Sequence, residues 1–175
     1  TLEHITSAAT PAVANVNDAP AGSVTISGNA IEDQVLMAAN TLSDADGLGT
    51  ISYQWNRDGQ AISGAINSTY TLVDADVGAA ITVTAKYTDQ NDTFESATSA
   101  ATALVTNVND APTGTPTATF DNGTEDQAYS ITLASLLLGF VDQDGDTLTV
   151  GSITADHGTV APGALPGEFT VTPEA

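Results

Sequence analysis

Carboxylates spaced two residues apart in loops are the groups in this chain that suggest chemistry. Asp44-Ala45-Asp46-Gly47 is one such stretch, and Asp142-Gln143-Asp144-Gly145-Asp146 is another. A third pattern accompanies them: Asn15-Val16-Asn17-Asp18-Ala19-Pro20 returns unchanged as Asn107-Val108-Asn109-Asp110-Ala111-Pro112. Carboxylate, side-chain amide and backbone oxygens are what hard divalent cations bind, and Ca2+ takes roughly six to eight of them. The Asp142 loop is not an EF-hand. With Asp142 as the first position, Thr147 stands where that loop needs Gly, and Ile153 where it needs Glu.

The charge balance points the same way. There are 22 acidic residues against two basic ones, Arg57 and Lys86. Phosphate contacts need Lys and Arg, so nucleic-acid binding is excluded, and docking on anionic membranes is disfavoured. The longest apolar run, Leu136-Leu137-Leu138-Gly139-Phe140-Val141, is far too short to span a bilayer, so membrane insertion is not expected. Catalytic readings fare badly. His4 and His157 are the only histidines and there is no cysteine, so zinc lacks its usual ligands. Neither GxGxxG nor a phosphate-binding loop occurs. No enzyme is expected. Asn67-Ser68-Thr69, Asn91-Asp92-Thr93 and Asn122-Gly123-Thr124 fit glycosylation sequons, which would be inert in a bacterial protein.

The elements that must position these acids read as strands. The duplicated linker is the end of a longer match: residues 2–20 repeat residues 94–112 at most positions. A repeat of this length implies an array of similar units. Residues 1–20 are expected to be the last strand and linker of a preceding repeat, residues 21–106 a complete sandwich, residues 107–112 a linker, and residues 113–175 an incomplete unit. Within 21–106, Ile51, Tyr53 and Trp55 share one face, and Ile81, Val83, Ala85 and Tyr87 alternate with Thr82, Thr84, Lys86 and Thr88. Asp58-Gly59 predicts a tight hairpin. Asp89 to Asp92 predicts another turn, followed by a last strand from about Phe94 to Thr106. In 113–175, one helical turn is expected between Ala134 and Phe140, with strands at Leu148–Ile153 and Phe169–Val171. The fold class is all-β.

Trp55-Asn56-Arg57-Asp58-Gly59, Tyr70-Thr71-Leu72 and Asp76-Val77-Gly78 resemble the immunoglobulin-like pattern, without its two cysteines. The resemblance implies that Trp55 is buried between two sheets. Residues 113–175, with their DxDGD loop and the NDAP linker before them, resemble the cadherin-like repeats of large bacterial surface proteins. In an immunoglobulin-like topology the loops alternate between the two ends of the sandwich. Glu32, Asp74 and Asp76 would then lie at the end where the chain leaves, with Asn107, Asn109, Asp110 and the next unit's Asp142, Asp144 and Asp146. The likeness to cadherin junctions implies that these residues share Ca2+. Asn107 stands where cadherins have Asp, which removes one charge. The first linker would repeat the pattern with Asn15, Asn17, Asp18, Asp44 and Asp46. For Asp76 a second role, capping its own corner, is equally open.

These readings imply a Ca2+-stabilised structural extender of a large secreted adhesin on the bacterial cell surface, similar to the RTX and biofilm-associated type, with neighbouring repeats as its partners. The alternative is an immunoglobulin-like module that grips a glycan or peptide, as part of a surface protein or of a secreted hydrolase.

Overall fold

A computed structural model describes residues 1–120 and 123–174 of the chain; Asn122, first residue of the third sequon, lies outside the described residues. The chain divides into two compact units, Thr1–Asn107 and Val108–Ala175. In both, the regular structure is almost wholly antiparallel strand.

The first unit holds two sheets. One contains β1 (Val24–Ser27), β2 (Val35–Asn40) and β5 (Thr69–Thr71), in the order β1-β2-β5. The other contains β3 (Ser52–Arg57), β4 (Gln60–Ala61), β6 (Ile81–Thr88) and β7 (Phe94–Thr98), in the order β4-β3-β6-β7. The period-two alternation of β6 does what it predicts: Ile81, Val83, Ala85 and Tyr87 are buried and their neighbours are not. Arg57 pairs with Gln60 around Asp58-Gly59, both at positive φ, which is the two-residue hairpin that those residues favour. Between the sheets lie Val24, Leu36, Leu42, Trp55, Leu72, Ile81, Val83, Ala85, Tyr87 and Val105.

Trp55 is fully buried at the centre of this core, opposite Val83 in the ladder. Its indole N–H donates to the Asn67 carbonyl at 2.9 Å, so the one polar atom of the ring is satisfied. Its ring also stacks on Tyr70, with centroids 5.7 Å apart. Its aliphatic neighbours in the core are thus joined by an aromatic one.

The segment after β7 is not one continuous strand. The ladder stops at Thr98, because two hydroxyls take over as acceptors: Val83 N–H donates to Ser99 Oγ at 3.0 Å and Ile81 N–H to Thr102 Oγ1 at 3.0 Å. Val105 and Thr106 then make isolated parallel bridges to Val77 and Ile31. Residues 1–14, expected as a strand, form none and are exposed throughout. A strand needs a partner edge, and the place of the matching segment 94–106 is filled by that segment itself.

In the second unit, β9 (Tyr129–Thr132), β11 (Gly158–Pro162) and β12 (Glu168–Pro173) form a sheet in the order β11-β12-β9. β8 (Thr113–Gly114) pairs with β10 (Phe140–Val141). The helical turn appears as α1 (Leu133–Leu136), capped by Thr132 Oγ1, which accepts from Ser135 N at 3.1 Å. Phe169–Val171 lies in β12 as expected, but Leu148 to Ile153 forms no strand. Leu148, Val150 and Ile153 instead line a cavity with Leu136, Leu137 and Phe140. Among the described residues, no helix is long and apolar enough to cross a membrane.

Trp55→Ala removes the largest buried side chain of the first unit and is expected to cost about 3–5 kcal/mol. Denaturant unfolding measures it. Trp55 fluorescence in the folded protein should be blue-shifted, and a red-shifted, readily quenched signal would contradict its burial.

Candidate cation sites

At one end of the first unit, the Asp44–Gly47 loop meets the first linker. Gly47 takes a positive φ of 95° and its N–H donates to the Asp44 carbonyl at 3.2 Å, closing the turn. Asp44 Oδ1 accepts the Asp46 N–H at 2.8 Å, so the first carboxylate of the pair shapes the loop that presents the second. Asp46 reaches the linker: its Oδ2 accepts the backbone N–H of Asp18 at 2.7 Å, and its Oδ1 accepts the Asn15 amide at 2.9 Å. The Asn91 amide, from the β6–β7 turn, donates to the same Oδ1 at 3.0 Å. The Asp18 N–H, followed by the Asn15 and Asn91 amides, holds the Asp46 carboxyl below its ordinary value, against the opposing effect of burial.

Tyr87 ties this loop to the core. Its hydroxyl donates to Asp44 Oδ2 at 2.5 Å. Burial, and then this bond, push the phenol well above its ordinary range, and the charges of Glu95 and Asp89 act in the same direction. Asn17 bonds to Glu95 rather than to the Asp46 loop, at 2.7 Å.

Asp89 is the residue that the sequence did not single out. It is 5% exposed. Its Oδ1 accepts the backbone N–H groups of Asn91 and Thr93 at 2.8 and 2.7 Å, which fixes the β6–β7 turn. Its Oδ2 is buried and, among the described residues, has no hydrogen-bond partner. A buried carboxylate oxygen left unsatisfied is costly, and among the described residues neither Lys nor Arg pairs with Asp89. A bound cation would meet that need. The loops at this end of the unit carry carboxylates and asparagine amides and neither histidine nor cysteine, the kind of donors that fits Ca2+ rather than zinc.

The opposite end of the first unit carries Glu32, Asp74, Asp76 and Asn107. Asp76 is fully buried, and its carboxylate is engaged on both oxygens. Arg57 Nε donates to Oδ1 at 2.7 Å, and the Tyr70 hydroxyl and Val73 N–H donate to Oδ2 at 2.8 and 2.9 Å. Of the two roles open to Asp76, this geometry supports the corner. Burial, followed by the bond to Asp76, raises the Tyr70 phenol to about 12. The same carboxylate raises the Arg57 guanidinium above its ordinary value. Asp74 is half-buried in the 3-10 turn Asp74–Asp76, and Asn107 is exposed. Glu32 is buried, with its N–H donating to the Thr106 carbonyl at 2.9 Å.

In the second unit, Asp142, Asp144 and Asp146 each offer a carboxylate oxygen, all within 4.8 Å of one another. Asp146 N–H donates to Asp142 Oδ1 at 3.0 Å, and Gly145 closes the turn at a positive φ of 75°. The linker is held here as well: Asp110 N–H donates to Asp144 Oδ2 at 2.6 Å. This is the Asp18–Asp46 bond over again. Asn109 turns back on the linker, its amide donating to the Asp110 carbonyl at 3.1 Å.

Residues 108–175 match the family model of the cadherin-like domain. Comparison with curated proteins and with solved structures gives no match. The match and the antiparallel sheets together define the class: all-β, of the cadherin-like and immunoglobulin-like sandwich kind. Cadherin-like domains are typically extracellular, generally bind Ca2+ and are not a catalytic kind of fold.

Two outcomes follow. Asp76→Ala strands Arg57 and Tyr70 beside a void and should cost about 2–4 kcal/mol in denaturant unfolding, while leaving the Asp46 loop intact. The Asp46 carboxyl lies below its ordinary value when folded, so its contribution is full above the unfolded value of 3.8 and is lost as pH falls through the lower, folded value. The Asp18 amide resonance should therefore titrate with a midpoint below 3.8. A midpoint at or above that value would mean that the linker is not held by Asp46.

Proposed function

We propose that the chain is a structural extender of a large secreted bacterial surface adhesin, in which Ca2+ bound by the acidic loops stiffens the linkers. Its partners are the neighbouring repeats, and its work is to hold a distal binding domain away from the cell. One observation carries the reading: in both units the second Asp of a DxDG loop accepts the backbone N–H of the linker Asp, at 2.7 Å for Asp46 and 2.6 Å for Asp144. The loops are thus built to grip the segment that joins one unit to the next. Asp44, Asp46 and Asp89, with Asn15 and Asn17 nearby, would hold the ion in the first unit, and Asp142, Asp144 and Asp146 in the second. Ca2+ supplies positive charge that the side chains lack. With little external Ca2+ the carboxylates repel one another and the linkers are loose.

Thermal unfolding tests this. A ligand that binds only the folded state stabilises it by about 2.7 kcal/mol at a hundredfold excess over Kd. Millimolar Ca2+ should raise the Tm relative to chelator and slow amide exchange in residues 15–20 and 107–112, and Mg2+ should substitute poorly because it demands tight octahedral geometry. Asp89→Asn should lose a large part of the Ca2+ effect on the first unit. Asp33→Asn should not, since Asp33 is exposed in a turn at positive φ that Asn also tolerates. An unchanged Tm and unchanged exchange between chelator and Ca2+ would leave the acids as a solvated surface and end the proposal.

A further inference from the structure

Three neutral donors hold the Asp46 carboxylate, and two of them are side-chain amides with an acceptor on the other arm. Asn15 and Asn91 both donate to Asp46 Oδ1, at 2.9 and 3.0 Å, while the Asp18 N–H takes Oδ2 at 2.7 Å. An asparagine amide ends in a nitrogen that donates and an oxygen that accepts. Its last torsion is broad and roughly two-fold, so exchanging the two ends changes the chemistry and barely the shape. Asparagine can therefore face a bare carboxylate or a cation from the same place. Aspartate can face only the cation, and lysine only the carboxylate.

The loops that carry these groups are seated on one another. A Cβ on Gly49 would run into the Thr88 carbonyl oxygen, and one on Gly47 would run into the Gln90 side chain. The loop of residues 44–49 thus packs closely on the end of β6 and on the β6–β7 turn. Asp89 fixes that turn by accepting the Asn91 and Thr93 N–H groups on Oδ1. Its Oδ2, buried and unpartnered among the described residues, is the separate observation that points to a ligand at this end. With both loops seated, the parts free to respond are the amides. Asn15 and Asn91 are exposed, so either can turn without disturbing the core.

We propose that Asn15 and Asn91 form a two-position latch on Asp46. Without a cation their amide nitrogens hold the carboxylate, and Asn15 together with Asp18 keeps the first linker against the unit. With a cation at the Asp44–Asp89 end, their amide oxygens face it and the Asp46 oxygens are released to it. The latch rests on the Ca2+ reading given above and adds to it: Ca2+ tightens a linker that neutral donors already hold loosely in register.

One substitution read in two conditions tests this. Asn15→Asp removes a donor from Asp46 and sets a second carboxylate beside it. In chelator, amide exchange of Asp18 and its neighbours in residues 15–20 should speed up by about tenfold or more, the factor that one hydrogen bond to a charged group supplies. Ca2+ affinity at this end, followed in the whole chain by the amide resonances of residues 44–49 and 89–93, should rise severalfold, because the added carboxylate is a ligand. Asn15→Ala should also speed exchange in chelator, but should weaken Ca2+ binding, since it offers neither group. Asn91→Asp should repeat the pattern of Asn15→Asp, with the backbone N–H that Asp89 accepts left in place. Both side chains are exposed, so the variants do not test folding. If Asn15→Asp weakens Ca2+ binding as Asn15→Ala does, or leaves exchange in chelator unchanged, the latch is overturned while the Ca2+ reading stands. If the unsubstituted chain shows no Ca2+ response at these resonances, the Ca2+ reading fails at this end and the latch fails with it.

Discussion

Two basic side chains stand among 22 acidic ones, and that shortage of positive charge decides how the acidic loops are satisfied. Arg57 is taken by Asp76. Every other carboxylate in a structured place must find neutral donors or an ion. Asp46 collects a backbone N–H and two asparagine amides, Asp44 a phenol and a backbone N–H, and Asp89 two backbone N–H groups. Neutral donors satisfy much of this demand but leave Asp89 Oδ2 without a partner in a buried position. The charge is not neutralised by the protein itself, and a divalent cation is the kind of group that completes such a set.

The same constraint explains why the linkers are tied down. An Asn-x-Asn-Asp segment offers amides and backbone N–H groups, which are donors that an acid-rich loop needs. Asp46 and Asp144 each take the N–H of the linker Asp, in units whose remaining architecture differs. The first unit has ten residues in one apolar cluster between two sheets, whereas the buried apolar residues of the second, among those described, are Ile131 and Val171. A unit with so little buried apolar surface gains more from a cation clasping its loop than one with a full core.

Much of the first unit was legible in the sequence because its signals are local. The alternation of β6, the Asp58-Gly59 hairpin and the burial of Trp55 each depend on a few adjacent residues. The break after Thr98 was not legible, since Ser99 and Thr102 look like ordinary strand residues until their hydroxyls are seen to replace carbonyls in the ladder. Leu148, Val150 and Ile153 suggest a strand by their apolar character but line a cavity instead, with Leu136, Leu137 and Phe140. For the sites, the DxDG loops and their linkers stood out by composition and repetition. Asp89 did not, because an Asp in a turn is common. What marks it is burial with one oxygen unpartnered, and burial is set by tertiary packing and not by adjacent residues.

The most direct test of this account is a crystal structure grown in Ca2+ with anomalous scattering recorded. The account predicts an ion at the Asp44–Asp89 end of the first unit, with Asp89 Oδ2 among its ligands at about 2.3–2.6 Å. Contradiction would be a map with no ion there and Asp89 Oδ2 hydrogen-bonded to an ordinary water or a protein donor.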